Sequence, residues 1–290
     1  VVLFDHTGDH ANLSVSTLRS GYGGTTTDAL EIIGSAGTDY IVASQSNYGA
    51  VTIRAGAGND EIQVSNGGVV DTVYAEGGDD IVFVGNEDLT ADSVLDGGDG
   101  TDTLVFNFAG SAVTYTINAD VPENFENLVG TTGDDTLTGD ANANTIYGGI
   151  GLDTVYGGAG DDTLYGGIGE DTLDGGTGTD TLTGGSGVDT FVIRSGDGST
   201  TLADANVITD FVDGTDVIAM DGLSFDDLTI AQGTGANASH TLVSKTSSGE
   251  YLLIIQNVTV SNVSAVDFSS ASTDNQTFTG DSGNNTDNGG

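Results

Sequence analysis

Apolar residues recur through the middle of the chain at a nine-residue step. In register from Gly130 the sequence reads GTTGDDTLT, GDANANTIY, GGIGLDTVY, GGAGDDTLY, GGIGEDTLD, GGTGTDTLT and GGSGVDTFV, without a gap to Val192. One large apolar residue fills the eighth place each time: Leu137, Ile146, Val155, Leu164, Leu173, Leu182 and Phe191. Around it the triplet D-x-U, with U apolar, alternates polar and apolar. That alternation predicts a short strand whose apolar side chain points inward. Thr at every seventh place predicts an outward β-branched ladder. Two nonapeptides then make one coil, with turns alternating between two sides. Asp135, Asp153, Asp171 and Asp189 lie on one side, and Asn144, Asp162 and Asp180 on the other.

A looser version precedes it. GSAGTDYIV (34–42), AGAGNDEIQ (55–63), AEGGDDIVF (75–83) and GGDGTDTLV (97–105) follow one another at a nearly constant step. Between them SNYGAVTIR, NGGVVDTVY and EDLTADSVL keep the apolar place and mostly lose the glycine–aspartate turn. Coils a little longer than a pair of nonapeptides follow, with acidic turns on one side only, at Asp39, Asp60, Asp80 and Asp102. DALEII (28–33) and ENFENLV (123–129) precede the two blocks in equivalent positions. After Val192 the period stops. VITDFVDGTDVIAMDGLSFDDLTI (207–230) and EYLLIIQNVTV (250–260) read as ordinary strands that cap the open end of a solenoid. The predicted division is a first solenoid over 1–129, a regular roll over 130–198, a β cap over 199–274, and 275–290. That last stretch, ending TGDSGNNTDNGG, is either a polar tail or the opening of a further repeat block.

The strands alone bury too little apolar surface to fold. Charge makes this worse: 44 acidic against 4 basic residues leave a net charge of −40, which self-repels unless counter-ions bind. The same charge excludes nucleic acid and anionic membrane as partners. No apolar run approaches the roughly 18 residues of a membrane span, so no membrane insertion is expected. Cysteine is absent, which excludes disulfides and thiolate metal sites. The start at Val1 carries no basic-then-apolar leader and reads as a mature form or a piece of something longer.

The repeat supplies its own counter-ion chemistry. Its glycines are read as positive-φ positions that turn carbonyls toward one point. They are Gly148, Gly149 and Gly151; Gly157, Gly158 and Gly160; Gly166, Gly167 and Gly169; and Gly175, Gly176 and Gly178. The sixth-place carboxylate joins them. Carbonyl and carboxylate oxygens without His or Cys suit Ca²⁺, which takes six to eight oxygen ligands. With each ion between turns one coil apart, 130–192 holds about five, the weakest involving Asn144, and 34–105 holds more. Asp189 is read as the last turn on its side. Asp197, outside the turns, is read as dispensable.

G-G-x-G-x-D-x-U-x, matched at every defined place by the last five nonapeptides, resembles the RTX (repeats-in-toxin) family over roughly residues 28–230. The stretch after the repeats is similar to the D-F-x-x-G-x-D-x-I that follows them in secreted RTX proteins. The resemblance implies a right-handed parallel β-roll, disordered without calcium. It also implies export by a type I system of a Gram-negative bacterium.

The repeat does not select a function, since the family includes proteases, lipases, toxins, adhesins and surface-layer proteins. No catalytic constellation stands out. His6 and His10 in DHTGDH lack the Glu of HExxH, His240 lies in a Ser/Thr/Gly-rich loop, and no G-x-S-x-G elbow occurs. Tyr147 and Tyr165 share one outward ladder, with Tyr156 on the opposite face; they read as packing between coils or as a contact surface. The threonine ladders also resemble ice-binding adhesins. The outward turn positions Ile150, Ala159, Ile168, Thr177 and Ser186 are too mixed for a lattice match. The expected function is therefore a non-catalytic, calcium-folded module of a bacterial cell surface, of surface-layer or adhesin type. Its expected partners are calcium, other copies of itself or cell-surface polysaccharide. The alternatives are the secretion-and-folding tail of an exported hydrolase or toxin and, ranked lower, an ice- or glycan-binding adhesin module.

Overall fold

The D-x-U triplets form strands where their alternation places them, and the strands stack in parallel. The computed structural model describes residues 2–4, 12–14, 30–43, 51–64, 72–85, 94–107, 110–117 and 124–270; His6, His10 and the stretch 275–290 lie outside them. Among the described residues the architecture is all-β, a solenoid of parallel strands with five single-turn 3-10 segments and no α-helix. The chain divides into two compact units. One holds residues 1–111 and 117–131, the other 112–116 and 132–290.

In the first unit one sheet runs Val2–Phe4, Leu30–Ile33, Val51–Ala57, Thr72–Gly77 and Val94–Asp96. The other runs Asn12–Ser14, Tyr40–Ala43, Glu61–Val64, Ile81–Val84, Thr103–Phe106 and Asn127–Val129. In the latter, Tyr40 pairs with Glu61, Glu61 with Ile81, Ile81 with Thr103 and Thr103 with Asn127. The first three are the steps that the spacing of the acidic turns predicts; the fourth lies beyond the last of them. ENFENLV thus supplies a further rung of this unit.

In the second unit the step is uniform. Thr136, Thr154, Thr172 and Thr190 are in register in one sheet, and Thr145, Thr163 and Thr181 in the other. Beyond Val192 the nine-residue period ends, yet the coil goes on with longer connections. Thr190 pairs with Val217 and Thr181 with Val207, and Val217–Asp221 and Asn206–Ile208 take further parallel partners in Phe268–Ser270 and Tyr251–Ile255. Only then does antiparallel pairing of Tyr251–Ile255, Thr241–Lys245 and Leu228–Gln232 close one edge. An open parallel edge is a template for aggregation, and the hairpin covers it.

The two units differ in what they bury. In the first, the strands that follow the acidic turns bury two apolar side chains each: Ile41 with Ala43, Ile62 with Val64, Val82 with Val84 and Leu104 with Phe106. In the repeats of the second, one apolar side chain is followed two places on by a buried glycine, as in Leu164 and Gly166. A buried aliphatic side chain contributes about 1.5–3 kcal/mol, so each coil of the second unit has the weaker apolar support. Outside, the rings of Tyr147 and Tyr165 stack at 4.5 Å and 3°. Hydrogen exchange after rapid chelation of divalent cations is accordingly expected to expose amides in 130–192 before those in 34–105. The reverse order would mean that apolar packing does not set the difference.

Candidate metal centre

Each acidic turn carries its carboxylate one coil beyond the previous one, and the backbone links them. The amide of Asp39 donates to Asp60 Oδ1 at 2.7 Å, Asp60 to Asp80 at 2.7 Å, and Asp80 to Asp102 at 2.8 Å. On one side of the second unit the amides of Asp135, Asp153 and Asp171 donate to Asp153, Asp171 and Asp189 at 2.8, 2.9 and 3.1 Å. On the other side Asn144 donates to Asp162 at 2.7 Å and Asp162 to Asp180 at 3.0 Å. All these side chains are buried. The predicted turn residues therefore form three continuous ladders, one in the first unit and two in the second.

A bond to Oδ1 leaves Oδ2. In Asp60, Asp80, Asp102, Asp153, Asp162, Asp171 and Asp180 this oxygen is buried and has no hydrogen-bond partner. An unpaired buried carboxylate oxygen is costly, so each marks a place for an electrophile. The first-place glycine shows where it points. A Cβ built on Gly148 would stand 2.7 Å from both Asp153 Oδ2 and the Gly166 carbonyl oxygen, and one on Gly166 would stand 2.6 Å from Asp171 Oδ2 and 2.7 Å from the Gly184 carbonyl oxygen. Gly157 faces Asp162 Oδ2 and the Gly175 carbonyl oxygen in the same way. A carboxylate oxygen and a carbonyl oxygen from the next coil thus converge on a space only glycine leaves open.

The glycines therefore divide into two sets, against the expectation of positive φ throughout. Gly149, Gly151, Gly158, Gly160, Gly167, Gly169, Gly176 and Gly178, at the second and fourth places, do hold left-handed φ, from 88° to 156°. The first-place Gly148, Gly157, Gly166 and Gly175 do not; they are glycine because a Cβ would strike the carboxylate and carbonyl oxygens. Among the described residues no three carboxylate or imidazole side chains gather to hold a metal. A cation here would rest on carbonyls as much as carboxylates, an all-oxygen set that fits Ca²⁺.

Electrostatics agree with that need. Burial pushes the carboxyls of Asp102, Asp153 and Asp162 up to about 7, and of Asp60, Asp80, Asp180 and Asp189 to about 6. The backbone hydrogen bond of each ladder offsets part of this, and neighbouring carboxylates on the same ladder add to it.

Several partners are not visible in the nonapeptide pattern. Asp189 is not the last rung: its amide donates to Asp216 Oδ1 at 3.1 Å, and that of Asp180 to Asn206 Oδ1 at 2.8 Å. Glu126 Oε2 accepts from the Asp102 amide at 2.7 Å. The phrases T-D-V-I, A-N-V-I and E-N-L-V carry the signal, an acid or amide two places before an apolar residue. Asp210 accepts from the amides of Gly184 and Gly185. Exposed fifth-place residues link coils as well, Asp134 accepting from the Leu152 amide at 2.9 Å and Asp161 from the Thr179 amide at 2.8 Å. Asp174, at a ninth place, is buried and held by the Arg194 guanidinium, which also reaches Asp221 at 3.4 Å. Asp197, read as dispensable, is buried, and its Oδ2 accepts from the Arg194 amide at 2.6 Å. His240 Nδ1 accepts from the Asn257 amide at 3.0 Å, a loop contact away from the ladders.

Stacked coils tied by oxygen ladders with unpaired buried carboxylate oxygens define a calcium-binding β-solenoid. The model of the RTX calcium-binding nonapeptide repeat matches residues 33–68, 70–88, 89–108, 124–155, 156–191 and 165–199, and the chain belongs to that family. Solved structures that match include two subunits of the Azotobacter vinelandii mannuronan C5-epimerase. The AlgE6R3 subunit is 27% identical over 54% of this chain and 92% of its own, with a TM-score of 0.26. The AlgE6R2 subunit is 24% identical over 48% and 89%, with a TM-score of 0.24. The extracellular lipase LipA from Serratia marcescens is 14% identical over 86% of this chain and 41% of its own, with a TM-score of 0.31. No curated protein matches the chain.

A carboxyl whose folded pKa is raised above its unfolded one stabilises the fold below the unfolded value and loses that effect as pH rises through the folded value. In chelator, β structure is therefore expected to be greater near pH 5 than near pH 7.5, by circular dichroism; a flat or opposite profile refutes it. Asp197→Ala is expected to cost about 1–3 kcal/mol in denaturant unfolding with calcium present, because it strips the Arg194 amide of its acceptor. A change under about 0.5 kcal/mol, the range of an ordinary surface substitution, would restore the view that Asp197 is dispensable.

Proposed function

We propose that the chain is a non-catalytic module that folds on calcium after export and forms part of a bacterial cell surface, as a surface-layer or adhesin component. The observation that carries calcium-driven folding is the set of seven buried, partnerless Oδ2 atoms in a chain of net charge −40. Each bound Ca²⁺ cancels two charges and links successive coils, so binding free energy becomes folding free energy. Export fits this chemistry: a chain held open by its own charge in a calcium-poor cytosol closes in a calcium-rich exterior. Family resemblance points to a type I route from a Gram-negative bacterium.

The surface role rests on how the repeats use their side chains. The sixth-place acids stitch coil to coil, and the outward faces carry Thr rows and the Tyr147–Tyr165 stack. Such a face suits lateral contact with other copies or with polysaccharide rather than turnover. Among the described residues no helix is long and apolar enough to cross a membrane.

Circular dichroism in EDTA is expected to show mostly coil, with β signal appearing cooperatively as Ca²⁺ reaches about 10⁻⁴–10⁻³ M. Mg²⁺ is expected to substitute poorly, since it keeps its waters and demands octahedral geometry. Native β signal in excess chelator at pH 7.5 would sink the calcium reading. Calcium-dependent sheets or filaments by electron microscopy support the surface role. A catalytic domain in the full-length gene, with no assembly, overturns it in favour of a hydrolase module.

A further inference from the structure

The ladders contain turns of two kinds. In three of them a side-chain oxygen is taken up by an amide of its own turn, in Asn144 its single carboxamide oxygen. Asp39 Oδ2 accepts from the Ser35 amide, Asn144 Oδ1 from the Asp140 amide at 2.8 Å, and Asp216 Oδ2 from the Val212 amide at 2.8 Å. The donor each time is the residue four places earlier, the second place of its own turn. The oxygen left without a partner at the other seven rungs has its counterpart here closed by a backbone N–H.

The backbone conformation of that second-place residue sorts these ten turns; Asp135 and Asp189 on the same ladders belong to neither kind, Asp189 although Gly185 at its second place holds φ 102°. The seven rungs with a partnerless Oδ2 have Gly56, Glu76, Gly98, Gly149, Gly158, Gly167 and Gly176 there, all at left-handed φ between 77° and 122°. The three closed rungs have Ser35, Asp140 and Val212, none at positive φ. Glu76 is the informative member. It is not glycine, yet it holds φ 77°, and its rung, Asp80, stays open. What matters is therefore the conformation, which glycine adopts at little cost and other residues rarely do.

We infer that only the open turns take a cation, and that the closed turns at Asp39, Asn144 and Asp216 are metal-free stops whose own amide stands in for the ion. This rests on the calcium reading above. Chemistry at the rungs supports it independently. Asn144 sits at a closed rung, where an acceptor suffices and no charge is needed, whereas all seven open rungs carry a carboxylate. At a closed rung the oxygen left bare elsewhere accepts a backbone N–H, so the rung holds a coil in register with its acceptor satisfied by the chain itself. Asp39 and Asn144 open the ladders traced from them, and Asp216 extends its ladder past Asp189.

The test counts calcium bound per chain at saturation, by equilibrium dialysis and atomic emission, with the calcium midpoint of folding as a second readout. Asp39→Asn keeps an acceptor for the Ser35 amide and is expected to match the unsubstituted protein in both. Asp162→Asn, at an open rung, is expected to bind fewer ions and fold at higher calcium. The double substitution Asp140→Gly, Asn144→Asp restores an open turn and is expected to bind one ion more. Loss of an ion in Asp39→Asn, or no gain in the double variant, overturns the inference even if Asp162→Asn fails to fold. An unsubstituted protein that binds no calcium defeats the calcium reading itself, and this inference with it.

Discussion

The structure depends on carboxylates stacked on carboxylates. Each buried aspartate accepts a hydrogen bond from the amide of the aspartate one coil before it, which fixes coil to coil but also fixes like charge beside like charge. Backbone dipoles satisfy one oxygen per rung and offset only part of the burial cost, as the raised pKa values of Asp153 and Asp162 show. With one apolar side chain per repeat strand, no compensating core is available within the nonapeptide coils of the second unit. Counter-charge from outside the chain is the remaining source of stability, and the geometry presents an oxygen for it at every open rung.

Much of this was legible in the residues. A period of nine fixes which residues meet, because strand register tolerates no slip when one face is buried. Thr163 faces Thr181 and Leu164 faces Leu182 for that reason. The one-sided acidic turns of the first unit were legible too, because Asp39, Asp60, Asp80 and Asp102 keep a nearly constant step. What the period could not reveal lies where the step changes. Asn206 and Asp216 continue their ladders 26 and 27 residues on, across connections with no repeat to index them. Asp174 was unreadable for another reason. A ninth-place residue normally faces outward, and only Arg194, twenty residues later on a neighbouring strand, makes it a buried ion pair.

Glycine does two different jobs in these turns, and composition cannot separate them. At the second and fourth places the backbone needs left-handed φ; at the first the space is reserved for oxygens. The first unit shows how far the jobs can be relaxed. Glu76 holds a left-handed φ of 77° at a second place, and its side chain meets Arg54 at 3.3 Å, so an ion pair helps hold a conformation that glycine adopts freely. Such a residue is tolerated only where neighbouring structure over-determines it.

The few basic residues described lie elsewhere. Arg54 bridges toward Glu31 and Glu76 and lies over the Tyr74 ring at 4.4 Å, and Lys245 joins the Ser195 carbonyl and Glu250. Arg194 forks onto Asp174. Each sits outside the ladders, where its counter-charge is permanent. Inside the ladders the chain places no lysine or arginine at any described rung, although one guanidinium per carboxylate would neutralise them. A covalently attached cation would fold the solenoid wherever the chain is made. On the function proposed here, leaving the rungs to a diffusible ion makes folding depend on the compartment, and the closed turns set limits to where that dependence applies.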